Sequence, residues 1–163
     1  MRGKLLLPAA MLVVSLVAVP PGAVASRSTR APSMTGSAAP GLARAHRVRL
    51  TITLRYVMQC GYPGAGPLVV TFPAAVRLPR RFAAGAVRLS GKAVAAKLAG
   101  RHVTVTVPPH EGVLCGTIGP GAVTLRFTHA ASLTNPARAG SYRFTAMHAK
   151  HTFSATLVVE PAA

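Results

Sequence analysis

Residues capable of chemistry are scarce in this 163-residue chain. It has no aspartate, and its two carboxylate side chains are Glu111 and Glu160. A nucleophilic triad would need a carboxylate to orient a histidine, and His110, adjacent to Glu111 in sequence, is poorly placed for that. Hydrolysis by paired carboxylates would require Glu111 and Glu160 together, although Glu160 lies three residues from the end. No glycine-rich phosphate loop leads from a strand into a helix. For metal binding, His148-x-x-His151 could set two imidazoles across a hairpin turn, and His110, Glu111 and Cys115 lie close in sequence. Neither group has the four-ligand spacing of a structural zinc site. The expectation is a protein without catalytic residues, cofactor or dedicated metal site, with His148 and His151 as weak metal candidates.

The two cysteines, Cys60 and Cys115, raise the question of compartment. Arg2 and Lys4 precede an apolar run from Leu5 to Val19, and Ala23-Val24-Ala25 follows. A basic start, a 15-residue apolar run and an Ala-x-Ala site describe a secretory signal peptide over residues 1–25, cut after Ala25. The run is short for a membrane span of about 20 residues and ends in a proline pair. In an exported chain a pair of cysteines is expected to bond, here Cys60 to Cys115. The expected location is secreted or cell-envelope, with no transmembrane span in the mature chain.

Charge is the strongest compositional signal. Lysine and arginine total 19 against 2 acidic residues, and removal of Arg2 and Lys4 with the signal peptide leaves 17 against 2. Codon bias can raise arginine with alanine, glycine and proline, but does not by itself remove acidic residues. So positive a surface attracts polyanions with salt-dependent affinity, which outside the cytoplasm means anionic cell-envelope polymers. Arg47, Arg49 and Arg55 share the polar face of one strand and form the candidate binding stripe. Aromatics are 5% of the chain, too few for a base-stacking platform, so no specific nucleic acid is expected. The sequence names no protein partner.

These residues must be positioned by strands. Residues 26–45 are Ser, Thr, Arg, Ala, Pro and Gly without periodicity, and read as a flexible leader. From Arg47 the pattern becomes strictly alternating: Val48, Leu50, Ile52, Leu54, Tyr56 and Met58 on one side, Arg47, Arg49, Thr51, Thr53 and Arg55 on the other. Cys60 to Pro67 carries turn chemistry. Short strands follow at Leu68–Phe72, Ala86–Ser90, and in a hairpin of Ala93–Leu98 with His102–Val107. Further strands begin at Val123, Tyr142 and Phe153. The expectation is one all-β domain over 46–160, a sandwich of about eight strands.

The loop Ser132–Ala146 carries a resemblance. Asn135-Pro136 favours a turn, and Gly140 supplies a residue tolerant of positive φ before the strand that starts at Tyr142. Leu133-Thr134-Asn135-Pro136 with Ala139-Gly140-Ser141-Tyr142 resembles an L-T-N-P-x-x-A-G-x-Y turn of immunoglobulin-like β-sandwich modules in bacterial exported and surface proteins. Val70-Thr71-Phe72-Pro73, Leu78-Pro79 and Val87 to Gly91 are similar to the T-F-P, L-P and V-x-V-x-G runs of the same modules. The resemblance implies an immunoglobulin-like sandwich and an extracytoplasmic setting, and brings no catalytic residues. It makes Asn135, Pro136, Gly140 and Tyr142 a structural corner, with the Tyr142 hydroxyl bonded to backbone and the ring largely buried. The reading is a non-catalytic envelope protein that binds anionic polymers. The alternatives are a small exported metal-binding protein using His148 and His151, or a purely structural protein-interaction module.

Overall fold

The computed structural model describes residues 31–59, 63–109 and 118–162. The expected signal peptide (1–25), Cys60, Cys115, His110 and Glu111 lie outside these residues. The described chain is all-β. Its strands are β1 (Ser33–Ala39), β2 (His46–Gln59), β3 (Gly66–Thr71), β4 (Val87–Leu89), β5 (Lys92–Ala93), β6 (Ala96–Ala99), β7 (His102–Val107), β8 (Ile118–Phe127), β9 (Leu133–Thr134), β10 (Gly140–His148) and β11 (His151–Val159). A single 3₁₀ turn, His129–Ala131, joins β8 to β9.

The strands form two antiparallel sheets. One runs β1-β2-β8-β4-β5, with β9 also paired to β2, and the other runs β11-β10-β3-β7-β6. The alternation read from the sequence is the physical cause: Val48, Leu50, Ile52, Leu54, Tyr56 and Met58 point inward from β2, and Val123, Leu125 and Phe127 from β8. Leu68 and Val70 of β3, Val103, Val105 and Val107 of β7, and Phe144 and Ala146 of β10 meet them from the opposite sheet. Phe72 sits at the centre, edge-on to Phe127 and Phe144 with both ring centroids 5.3 Å away. The expected hairpin forms as β6 and β7, with Ala99 opposite His102 and Gly100 at φ +59° in the turn.

Three strands exceed the eight expected. Two are the two-residue strands β5 and β9. The third corrects the flexible leader expected over 26–45 and the domain start at 46: β1 pairs with β2 over seven residues, from Ser33 opposite Arg55 to Ala39 opposite Arg49. Backbone hydrogen bonds, which composition does not reveal, hold this Ser/Thr/Gly/Ala segment, and only Met34 on it is buried. The chain that follows is laced in as well. Ala43 N donates to Glu160 O at 2.8 Å, and Glu160 N to Gly41 O at 3.0 Å.

A second departure lies at Arg47, which adopts φ +53° where the pairing of β2 with β9 shifts register between His46 and Val48. The regular alternation of β2 therefore begins at Val48, past this irregularity.

Candidate polyanion-binding face

The outer face of the β1-β2-β8-β4 sheet is built by strand parity. Because Leu50, Ile52 and Leu54 face the core, Arg49, Thr51, Thr53 and Arg55 face outward, and the register fixes their neighbours. Ser37, Thr51, Arg126 and Arg88 form one row across four strands. Thr35, Thr53 and Thr124 form the next, and Ser33, Arg55 and Ala122 the one after. Arg88 and Arg126 are direct cross-strand partners. Like charges in that position are destabilising, and no carboxylate lies in these rows to offset them. Glu160 is the one carboxylate among the described residues, and it sits at the end of β11, bridged to Leu42.

Arg47, Arg49 and Arg55 are all exposed. They do not form an even stripe. Arg49 and Arg55 are separated by Thr51 and Thr53, about 20 Å along the strand. Arg126 and Arg88, which sequence reasoning did not single out, gather at the Arg49 end. Arg88 is held by a bond from Nη1 to Gly91 O at 3.2 Å. Arg49 Nη2 lies 3.1 Å from His129 Nε2, and His129 Nδ1 lies 2.7 Å from Arg47 O. The signal for Arg88 and Arg126 was their polar parity on predicted strands, but only the pairing register places them beside β2.

The histidine pair is opposite in character. His148 and His151 are register partners across the β10–β11 turn, on the inward side. His148 is 1% exposed, and its Nδ1 lies 2.7 Å from the Tyr56 hydroxyl. Its Nε2 is buried without a hydrogen-bond partner among the described residues. The Tyr56 ring lies 5.2 Å from that of His151 and 5.5 Å from that of Phe153. The two imidazoles do lie across a hairpin turn, and the packing places His148 in the core. With Nδ1 taken by a phenol, His148 is a packed core residue. No group of three His, Cys, Asp or Glu that could hold a metal ion occurs among the described residues.

Burial pushes His148 below the ordinary imidazole value; the Gly64 backbone acts the other way, and the neighbouring His151 adds to the lowering. Burial also pushes the Tyr56 phenol up, so it stays protonated and can donate to a neutral His148. Unfolded, His148 titrates at about 6.5. Between the folded and unfolded values the unfolded chain binds more protons, so stability rises with pH in that window. The contribution of the neutral ring is whole above about pH 6.5 and is lost as pH falls through the lowered folded value. The urea midpoint should therefore drop on acidification below about pH 6.5, and His148→Gln should flatten that dependence. An identical pH profile in the variant would assign the slope to other groups.

At the corner, the Tyr142 hydroxyl donates to Arg138 O at 2.7 Å, within the loop expected to hold it. The ring is only half-buried, a correction to the largely buried side chain expected, because it packs over Gly140 at the surface. Gly140 has φ +149°, which a side chain would resist. Tyr142→Phe should cost no more than about 0.5 kcal/mol in denaturant unfolding, since water can replace the bond. Asn135 and Pro136 are both buried, and the Asn135 amide donates to Pro40 O at 3.0 Å and Leu42 O at 2.9 Å.

No protein-family model matches the chain, and no curated protein sequence does. Among solved structures, the fold is similar to the crystal structure of BslA, a bacterial hydrophobin. The TM-score is 0.53 at 20% identity, over 80% of this chain and 99% of that one. A non-cellulosomal cohesin from the hyperthermophilic archaeon Archaeoglobus fulgidus aligns at TM-score 0.40 and 7% identity, over 81% of this chain and 91% of that one. The likeness to BslA is one of fold, and with it the chain stands as an all-β sandwich of two antiparallel sheets.

Proposed function

We propose that this chain is an exported, non-catalytic β-sandwich protein that adsorbs to anionic polymers of the cell envelope through the outer face of the β1-β2-β8-β4 sheet. The observation that carries the reading is the cluster of Arg49, Arg126 and Arg88, with Arg55 farther along the same face and no carboxylate in the rows between. Export is supported by the basic, apolar and Ala-x-Ala pattern of residues 1–25 and by the resemblance of the Leu133–Tyr142 turn to exported immunoglobulin-like modules. A likeness in fold to a bacterial hydrophobin is compatible with a role other than catalysis. The burial of His148 against Tyr56 argues against the metal-binding alternative.

Adsorption driven by counterion release should fall steeply with salt. For a duplex DNA probe, about six phosphates engaged give a log–log slope of about −5. Replacing Arg55, Arg88 and Arg126 by serine should make the slope shallower by about 2–3, because each phosphate contact contributes about 0.9. The fold should survive, as all three side chains are exposed. Binding that persists in high salt, or a triple variant that binds as the wild type does, would leave the structural-module reading as the better one.

A further inference from the structure

The two contacts of His129 are matched by one tautomer of its ring. Nδ1 lies 2.7 Å from Arg47 O, and a carbonyl only accepts, so Nδ1 carries the hydrogen. Nε2 lies 3.1 Å from Arg49 Nη2, and a guanidinium only donates, so Nε2 presents its lone pair. In the Nδ1–H tautomer the ring makes both contacts, and it holds Arg49 as an acceptor does. Protonation would set an Nε2–H against the guanidinium N–H at the same distance. Neither group could then satisfy the other.

We propose that Arg49 and His129 form an anion subsite that takes up one phosphate group and one proton together. A phosphate oxygen placed between them accepts from Arg49 Nη2 and from the protonated Nε2. It turns two mutually repelling donors into two charge-assisted hydrogen bonds. The surroundings favour this arrangement. The 3₁₀ turn bearing His129 packs on β2, whose exposed charged or titratable groups are His46, Arg47, Arg49 and Arg55, Tyr56 being buried on the inward face. β8, which runs into the turn, brings Arg126, and His46 is engaged with Thr134 Oγ1 at 3.1 Å. All of these exposed groups are basic, and an anion seated between Arg49 and His129 offsets that charge. This subsite rests on the polyanion reading above, and it makes that binding stronger in acid.

The test uses the purified protein and long-chain inorganic polyphosphate, whose internal phosphates stay ionised throughout, at fixed ionic strength. Histidines in general gain charge between about pH 5 and 8. Affinity for wild type should rise about tenfold from about pH 7.5 to about pH 5.5, the equivalent of one unit of proton affinity. Calorimetry in buffers of different ionisation enthalpy should show proton uptake on binding. His129→Gln, which can still donate to Arg47 O and accept from Arg49, removes the ring that takes up the proton while keeping both contacts. It should lose most of the acid gain and of the proton uptake. A variant that keeps both would overturn the subsite, since the other histidines would then carry the effect. Salt-sensitive but pH-independent binding by wild type would overturn the subsite and leave the polyanion reading standing. No binding to polyphosphate at either pH would remove both.

Discussion

Replacing Arg101 by alanine should destabilise the domain by about 2–4 kcal/mol, although the residue sits in a two-residue hairpin turn. Its Nε donates to Phe72 O at 3.0 Å, and its Nη2 to Pro73 O and, at 2.6 Å, to Val76 O. Its own carbonyl accepts from Phe72 N at 3.0 Å. The guanidinium thus holds the turn at which the chain leaves β3, at the residue whose ring packs on Phe127 and Phe144. Hydrogen bonds from a charged donor are each worth about 1.5–3 kcal/mol, and part of this returns as water reaches the freed carbonyls. Arg101→Lys should recover little, because one ammonium cannot reproduce a planar fork aimed at several acceptors. Urea unfolding checks this. A midpoint shift equivalent to less than about 0.5 kcal/mol for the alanine variant would show that the clamp contributes no more than an ordinary surface position.

Arg101 also shows where sequence reading stops. Ala99-Gly100-Arg101 was read as a turn, and it is one, with Gly100 at φ +59°. What the arginine does there depends on the 72–76 segment arriving underneath, and no local pattern encodes that. The same division runs through the molecule. β2, β7 and β11 were legible because one face is buried and the alternation is long, so the core set on each strand could be read by parity. The basic face was half legible. Parity put Arg49 and Arg55 outside, but the pairing of Arg88 with Arg126 and their place beside Thr51 are facts of register. His148 divides in the same way. At the last position before a turn a histidine reads as a turn residue, and it is inward parity on β10 that brings it against Tyr56. The segment from Ser33 to Ala45 was missed because its order comes from main-chain pairing and from one asparagine ninety residues away.

That asparagine gives the second large effect. Asn135→Ala should cost about 2–3 kcal/mol, with the loss centred on the first strand. Asn135 is 5% exposed. Its amide donates to Pro40 O and Leu42 O, and its backbone N–H to Ala45 O at 2.9 Å. Alanine keeps the backbone bond, strips Pro40 O of its donor and leaves Leu42 O with only the longer bond from Ala45 N at 3.3 Å, at about 1–1.5 kcal/mol for each lost bond. Asn135→Asp should be at least as damaging near neutral pH, because carboxylate oxygens would face carbonyl oxygens where the amide had donated. The turn that Asn135 closes also carries the bonds between Gly41, Ala43 and Glu160 that tie it to the end of β11. Its loosening should therefore expose the amides of β1 before those of β2 and β8. Hydrogen exchange resolves the two cases. Faster exchange at Thr35 to Ala39, with β8 slowed or unchanged, would place the asparagine as the latch of the first strand. Uniform acceleration of all strands would make it a general contributor to the fold, and wild-type exchange at β1 would show that the strand's pairing with β2 holds it without the latch.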